Sequence, residues 1–80
     1  MDRIEIEKTV LKLLVDVLKQ PLKEGAEITC QNTPAWDSLK HIEIMFALED
    51  EFSVEFTEDE LVKLDSNIKI VSSLLAKYAS

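Results

Sequence analysis

The chain is 80 residues long, with 16 acidic and 9 basic side chains, a formal charge of −7 and 46% apolar residues. That is enough apolar matter for one packed core and too much for disorder, so the length fits a single domain, residues 1–80, of modest stability. The negative balance repels phosphate backbones and anionic bilayers, which excludes nucleic acid and membrane as partners and favours basic protein surfaces.

One glycine and two prolines in the whole chain argue for helices over a turn-rich β fold. Cys30 is the only cysteine, so neither an internal disulfide nor an all-cysteine metal site can form. It reads as a small, partly buried loop residue. The opening "MDRIEIEK" lacks the apolar centre of a signal peptide, and the longest apolar run, "IMFAL", is far below a membrane span. The expectation is a soluble, cytoplasmic monomer.

A first helix is predicted from Asp2 to Lys19. Asp2 caps it, with Glu5 completing a capping-box pattern. Ile6, Val10, Leu13, Leu14 and Val17 recur at helical spacing and predict a buried stripe. Ile4, Leu11, Val15 and Leu18 widen it, and Pro21 is the expected stop. A long connection follows over residues 20–36, broken by Pro21, Gly25 and Pro34, with Ile28 and Trp36 as its apolar anchors. The second helix is predicted over Ser38 to Phe52.

A short third helix opens at "FTEDEL", where Thr57 and Glu60 form a capping box and Phe56 and Leu61 have the spacing of a hydrophobic staple. The fourth runs from Ser66 or Asn67 to Tyr78, with Ile70, Val71, Leu74, Leu75 and Tyr78 at helical spacing. The reading is all-α: a four-helix bundle with a short third helix and a long loop between helices one and two.

The second helix has more apolar residues than one face can bury. At about 100° per residue, Ile44, Met45, Leu48 and Phe52 share one sector, while Leu39, Ile42 and Phe46 fall on another. Glu43, Glu49 and Asp50 lie among the second group. Either two neighbouring helices bury the two stripes, or the second stripe faces a partner. Between Glu43 and Glu60 there are eight acidic residues and no Lys or Arg, which favours a docking strip for basic partners. His41 falls on the core side, where a satisfied, partly buried imidazole is expected. A pH-sensitive contact is its lesser reading. "DS" at positions 37–38 reads as a helix start, since both residues cap well. It equally places a hydroxyl at a helix N-terminus, where backbone N–H groups favour a phosphate.

"DSL", then a helix ending "ALEDEF", then a short capped helix with "FTEDEL", resembles the acyl carrier protein family over nearly the whole chain. The tripeptide alone is common; the series in register, in an acidic domain of this length, is specific. The resemblance implies that Ser38 is the attachment point for a covalent 4′-phosphopantetheine arm, transferred from coenzyme A by a phosphopantetheinyl transferase. Asp37 matches the family's acidic residue before the serine, associated with that transfer. Leu39, Ile42, Glu43, Phe46, Glu49 and Asp50 match positions where such carriers meet acyl-loading and acyl-processing enzymes with basic docking patches. The family also shelters acyl chains in an expandable cavity; Ile44, Met45, Leu48, Phe52, Leu64, Val71 and Leu74 are candidates for its lining, with ordinary core packing as the default reading of each.

Two departures stand out. Lys40 occupies a position that is usually acidic in fatty-acid-type carriers, and Trp36 replaces a small residue before "DSL". Both point to a specialised carrier over a housekeeping one. The implied function is that of a discrete acyl carrier in fatty acid, polyketide or related biosynthesis. An aminoacyl or peptidyl carrier of the same fold is the alternative, and a helical acidic adaptor without a prosthetic group is a third reading. One His, one Cys and no triad or metal cluster argue against an enzyme.

Overall fold

The computed structural model describes residues 2–79, in which four helices follow one another: α1 (Arg3–Leu18), α2 (Ser38–Phe52), α3 (Glu58–Lys63) and α4 (Asn67–Ala79). The described residues hold no strand, only an isolated antiparallel bridge between Thr29 and Ser66. The all-α architecture with a short third helix is as the sequence predicts.

The side chain of Asp2 caps α1, accepting the Glu5 N–H at 2.9 Å. No return bond from the Glu5 carboxylate completes the box. Ile6, Val10, Leu14 and Leu18 are buried along the helix, whereas Leu13 and Val17, expected in that stripe, are only half-buried on its flanks. Ile4 departs further from expectation: in the first turn it stands 62% exposed, beyond the edge of the core. The helix also ends before Pro21. Lys19 turns left-handed at φ 56°, and its N–H closes the last turn on the Val15 carbonyl at 2.9 Å.

The connection between α1 and α2 is pinned by its own apolar residues and by α4. Ile28 and Trp36 are buried, as their sequence context predicts. The Asn67 side chain accepts the Ile28 N–H at 2.9 Å and donates to the Ala26 carbonyl at 2.9 Å. The backbone adds Asn67 N–H to Ile28 O and Cys30 N–H to Asp65 O, both at 3.0 Å. A loop whose polar backbone is satisfied this way can pack down on the core instead of staying solvated.

Asp37 adopts extended backbone and caps α2. At α3 the capping box is complete: Thr57 Oγ1 accepts the Glu60 N–H at 3.2 Å, and Glu60 Oε1 accepts the Thr57 N–H at 2.9 Å. Phe56 is buried and Leu61 packs on the same core. The Ser66 hydroxyl accepts the Lys69 N–H at 3.2 Å at the start of α4.

α1 packs against both α2 and α4. Ile6, Leu14, Ile44, Leu48, Ile70 and Leu74 are completely sealed between them. All seven candidates for a cavity lining lie in this core, as their default reading expects. A surface cleft of about 530 Å³ opens elsewhere, between the first half of α1, residues 24–26 and the start of α4; of the seven, only Val71 borders it.

Candidate functional site at the start of helix α2

Ser38 is the first residue of α2 and is exposed. Its neighbour Asp37 performs the capping, its Oδ1 accepting the Lys40 N–H at 2.9 Å while its carbonyl accepts the His41 N–H at 2.9 Å. Among the described residues the Ser38 hydroxyl has no hydrogen-bond partner, the capping being done by Asp37. The opening turn therefore offers a free nucleophilic oxygen beside the N–H groups that every helix start leaves without intrahelical partners.

The next turns divide α2 into two faces. Ile44, Met45, Leu48 and Phe52 are buried, as the spacing predicts. Leu39, Ile42 and Phe46 are 67%, 51% and 63% exposed, so no neighbouring helix covers the second stripe. The carboxylates around it differ in their freedom. Asp50 is exposed. Glu43 is exposed and paired with Lys40 Nζ at 3.3 Å. Glu49 is half-buried, and its Oε2 accepts the Phe56 N–H at 2.8 Å, so it also closes the turn between α2 and α3. Spacing on a helical wheel gives no sign of that tie, because its partner lies on the following segment.

Two further features were missed from the sequence. Val62, on α3, is 80% exposed, and the staple spacing of Phe56 and Leu61, which leaves Val62 off the packed face, was the available signal. His41 joins three elements: its Nδ1 accepts the Trp36 indole N–H at 3.0 Å, and its Nε2 bonds the Leu61 carbonyl. The expected satisfied, partly buried imidazole is thus present, with partners that local spacing cannot name.

Two carboxylates near α3 are held strongly ionised. Glu60 sits at a pKa of about 2, chiefly because its carboxylate accepts the Thr57 backbone N–H, with Lys77 and Ser73 adding to this against the opposing effect of burial. Asp65 is lowered mainly by its hydrogen bond from Lys69. Among the described residues no group of three or more His, Cys, Asp or Glu could hold a metal ion, and no helix is long and apolar enough to cross a membrane.

No family model matches the chain. A curated relative does: the chain is 34% identical to "Acyl carrier protein 3" of Ralstonia nicotianae over 77 residues, spanning 90% of this chain and 88% of the relative. The chain belongs to the acyl carrier protein family. Its role is therefore that of a carrier and not of a catalyst. The helix order described above agrees with an acyl carrier fold. Within this acyl carrier, the free hydroxyl and the uncovered apolar stripe lie on the same helix, within its first nine residues.

Proposed function

We propose that the protein is a discrete acyl carrier that holds acyl intermediates as thioesters on a 4′-phosphopantetheine arm attached to Ser38. It delivers them to cytoplasmic enzymes of fatty acid, polyketide or related biosynthesis. The observation that carries this reading is the Ser38 hydroxyl, exposed and without a partner among the described residues at the head of α2.

The residues around it suit a phosphodiester. Helix-start N–H groups and the positive end of the helix dipole favour an anion there. Lys40 supplies a cation within the same first turn, and Asp37, occupied as the cap, keeps Ser38 from folding back on the backbone. The arm, when attached, supplies a mobile thiol. Ser38 is then an anchor and takes no part in turnover.

Leu39, Ile42 and Phe46 form the apolar centre of the docking strip. Glu43, Glu49 and Asp50 form its acidic rim, which selects partners with basic patches, the phosphopantetheinyl transferase among them. A rim of this kind speeds encounter more than it tightens binding.

The test is intact-protein mass after incubation with coenzyme A and a promiscuous phosphopantetheinyl transferase, wild type beside Ser38→Ala. A gain of one phosphopantetheine in the wild type alone supports the carrier. No gain in folded wild type, with the transferase active on a control carrier, leaves the acidic adaptor. The positive charge of Lys40 within the acidic rim favours a specialised cargo, so the mass of the thioester formed with native loading enzymes then separates acyl from aminoacyl or peptidyl groups.

A further inference from the structure

Trp36 is only 3% exposed, and its indole N–H has one acceptor, Nδ1 of His41 at 3.0 Å. With Nδ1 accepting, the ring proton resides on Nε2, which donates to the Leu61 carbonyl. The two rings stack with centroids 6.0 Å apart and planes 25° from parallel. One imidazole in its neutral tautomer thus joins the end of the α1–α2 loop, the first turn of α2 and α3.

α3 depends on such ties. It is six residues long and contains no buried residue. Towards α4 it is held by Glu60, which accepts from the Ser73 hydroxyl at 2.9 Å and from Lys77 at 3.1 Å. Towards α2 the polar tie is His41 to Leu61.

We infer that Trp36 and His41 form an acid-released clasp that holds the end of the α1–α2 loop, just before Ser38, against the first turn of α2. A second proton on the imidazole goes to Nδ1 and sets an N–H against the indole N–H. The buried indole then loses its acceptor, so the rings must part. The Nε2–H goes on donating to the Leu61 carbonyl, so α3 keeps its tie to α2 and the loop end beside Ser38 is what moves.

The charged surroundings do not replace the clasp. Asp65, in the turn before α4, is the carboxylate whose field reaches His41, and it is already engaged by Lys69 at 2.9 Å. On α2 the neighbours are Asp37, which accepts the His41 backbone N–H through its carbonyl, and Lys40, which is turned to Glu43. The loop meets the ring with an indole and α3 meets it with a carbonyl. The clasp operates whether or not Ser38 carries a group, so its failure would leave the carrier reading untouched.

Trp36 is the only tryptophan, so its emission reports the clasp directly. The experiment follows Trp36 fluorescence and the backbone amide resonances of Trp36 and Lys40 from about pH 8 to about pH 5, the span in which imidazoles ordinarily change charge. Wild type is compared with His41→Gln, whose amide can accept from Trp36 and donate to Leu61 but does not titrate. The expected result is one single-proton transition shared by the fluorescence, the Trp36 and Lys40 amides and the His41 ring protons, and absent from His41→Gln. A wild-type emission and amide set that stay flat while the His41 ring protonates would overturn the inference, as would an unchanged transition in His41→Gln.

Trp36→Phe leaves an aromatic ring but no N–H donor and gives a second test should His41→Gln not fold. In it, the amides of residues 36 and 40 are expected to exchange about tenfold faster at neutral pH. Exchange at the wild-type rate would count against the clasp.

Discussion

Lys77 places its ammonium 3.1 Å from each carboxylate oxygen of Glu60, tying α4 to α3 through a side chain that also completes the α3 cap. A carboxylate serving two elements at once makes the junction sensitive to acid. Its pKa falls from 4.5 to about 2 on folding, so the stabilisation is fully present above pH 4.5 and is lost as pH drops from there towards 2. Glu60→Gln is expected to be less stable than wild type by roughly 1–2 kcal/mol at neutral pH, allowing for its partial exposure. The difference should vanish as the pH approaches 2. Urea denaturation of both proteins at intervals across that range measures it.

The two apolar faces of α2 predict opposite outcomes for the same kind of truncation. Ile44 and Leu48 are completely buried, so either one changed to Ala should cost about 2–5 kcal/mol, a large share of what a domain this small can spare. Phe46 is 63% exposed, and Phe46→Ala should change stability by no more than about 0.5 kcal/mol. Its effect is expected in partner binding, weakened by about tenfold for an anchor in a docking strip. Thermal melts combined with transferase binding separate the two classes. A Phe46→Ala protein that binds as wild type would remove this residue from the strip.

The hydroxyl of Tyr78 donates to the carbonyl of Phe52 at 2.8 Å. That carbonyl belongs to the last turn of α2, where helical carbonyls have no intrahelical donor. Tyr78→Phe keeps the edge-on packing of the ring against Phe52 and removes only the bond. A loss of about 1 kcal/mol is expected by chemical denaturation.

Lys19 and Ser53 both adopt left-handed backbone at helix ends, with φ of 56° and 53°. Glycine is the residue that enters this region without a Cβ penalty. Lys19→Gly and Ser53→Gly are each expected to gain about 0.5 kcal/mol, the relief outweighing the added freedom of the unfolded chain. A melting temperature that falls in both variants would contradict this.

What the sequence disclosed follows the range of the interactions. The Thr57–Glu60 box, the bounds of α2 and the separation of Leu39, Ile42 and Phe46 from the buried stripe arise from contacts three or four residues apart or from one helical period, and all were legible. That no helix covers this second stripe was favoured only by the acidic residues around it, since periodicity left both outcomes open. The choice between Asp37 and Ser38 as cap was not, because both residues cap well; the extended backbone at Asp37 decides it. Ile4 was misplaced because periodicity says which side a residue takes but not where the core stops along the axis. The ties of Glu49 to Phe56, His41 to Leu61 and Asn67 to Ile28 span 7, 20 and 39 residues. No local pattern encodes such distances.

The hold of Asn67 on the α1–α2 loop bears on when the protein becomes usable during its synthesis. The loop, Ser38 and all of α2 are translated before Asn67 is made. Until then the Ala26 carbonyl and the Ile28 N–H lack their partner from α4, and α1 lacks one of the two helices it packs against. A nascent chain stopped short of Asn67 should accordingly be cut by protease within residues 20–36, where the finished protein resists. The modifiable serine is thus translated early but presented late, and any enzyme that recognises the folded helix start must wait for the last quarter of the chain.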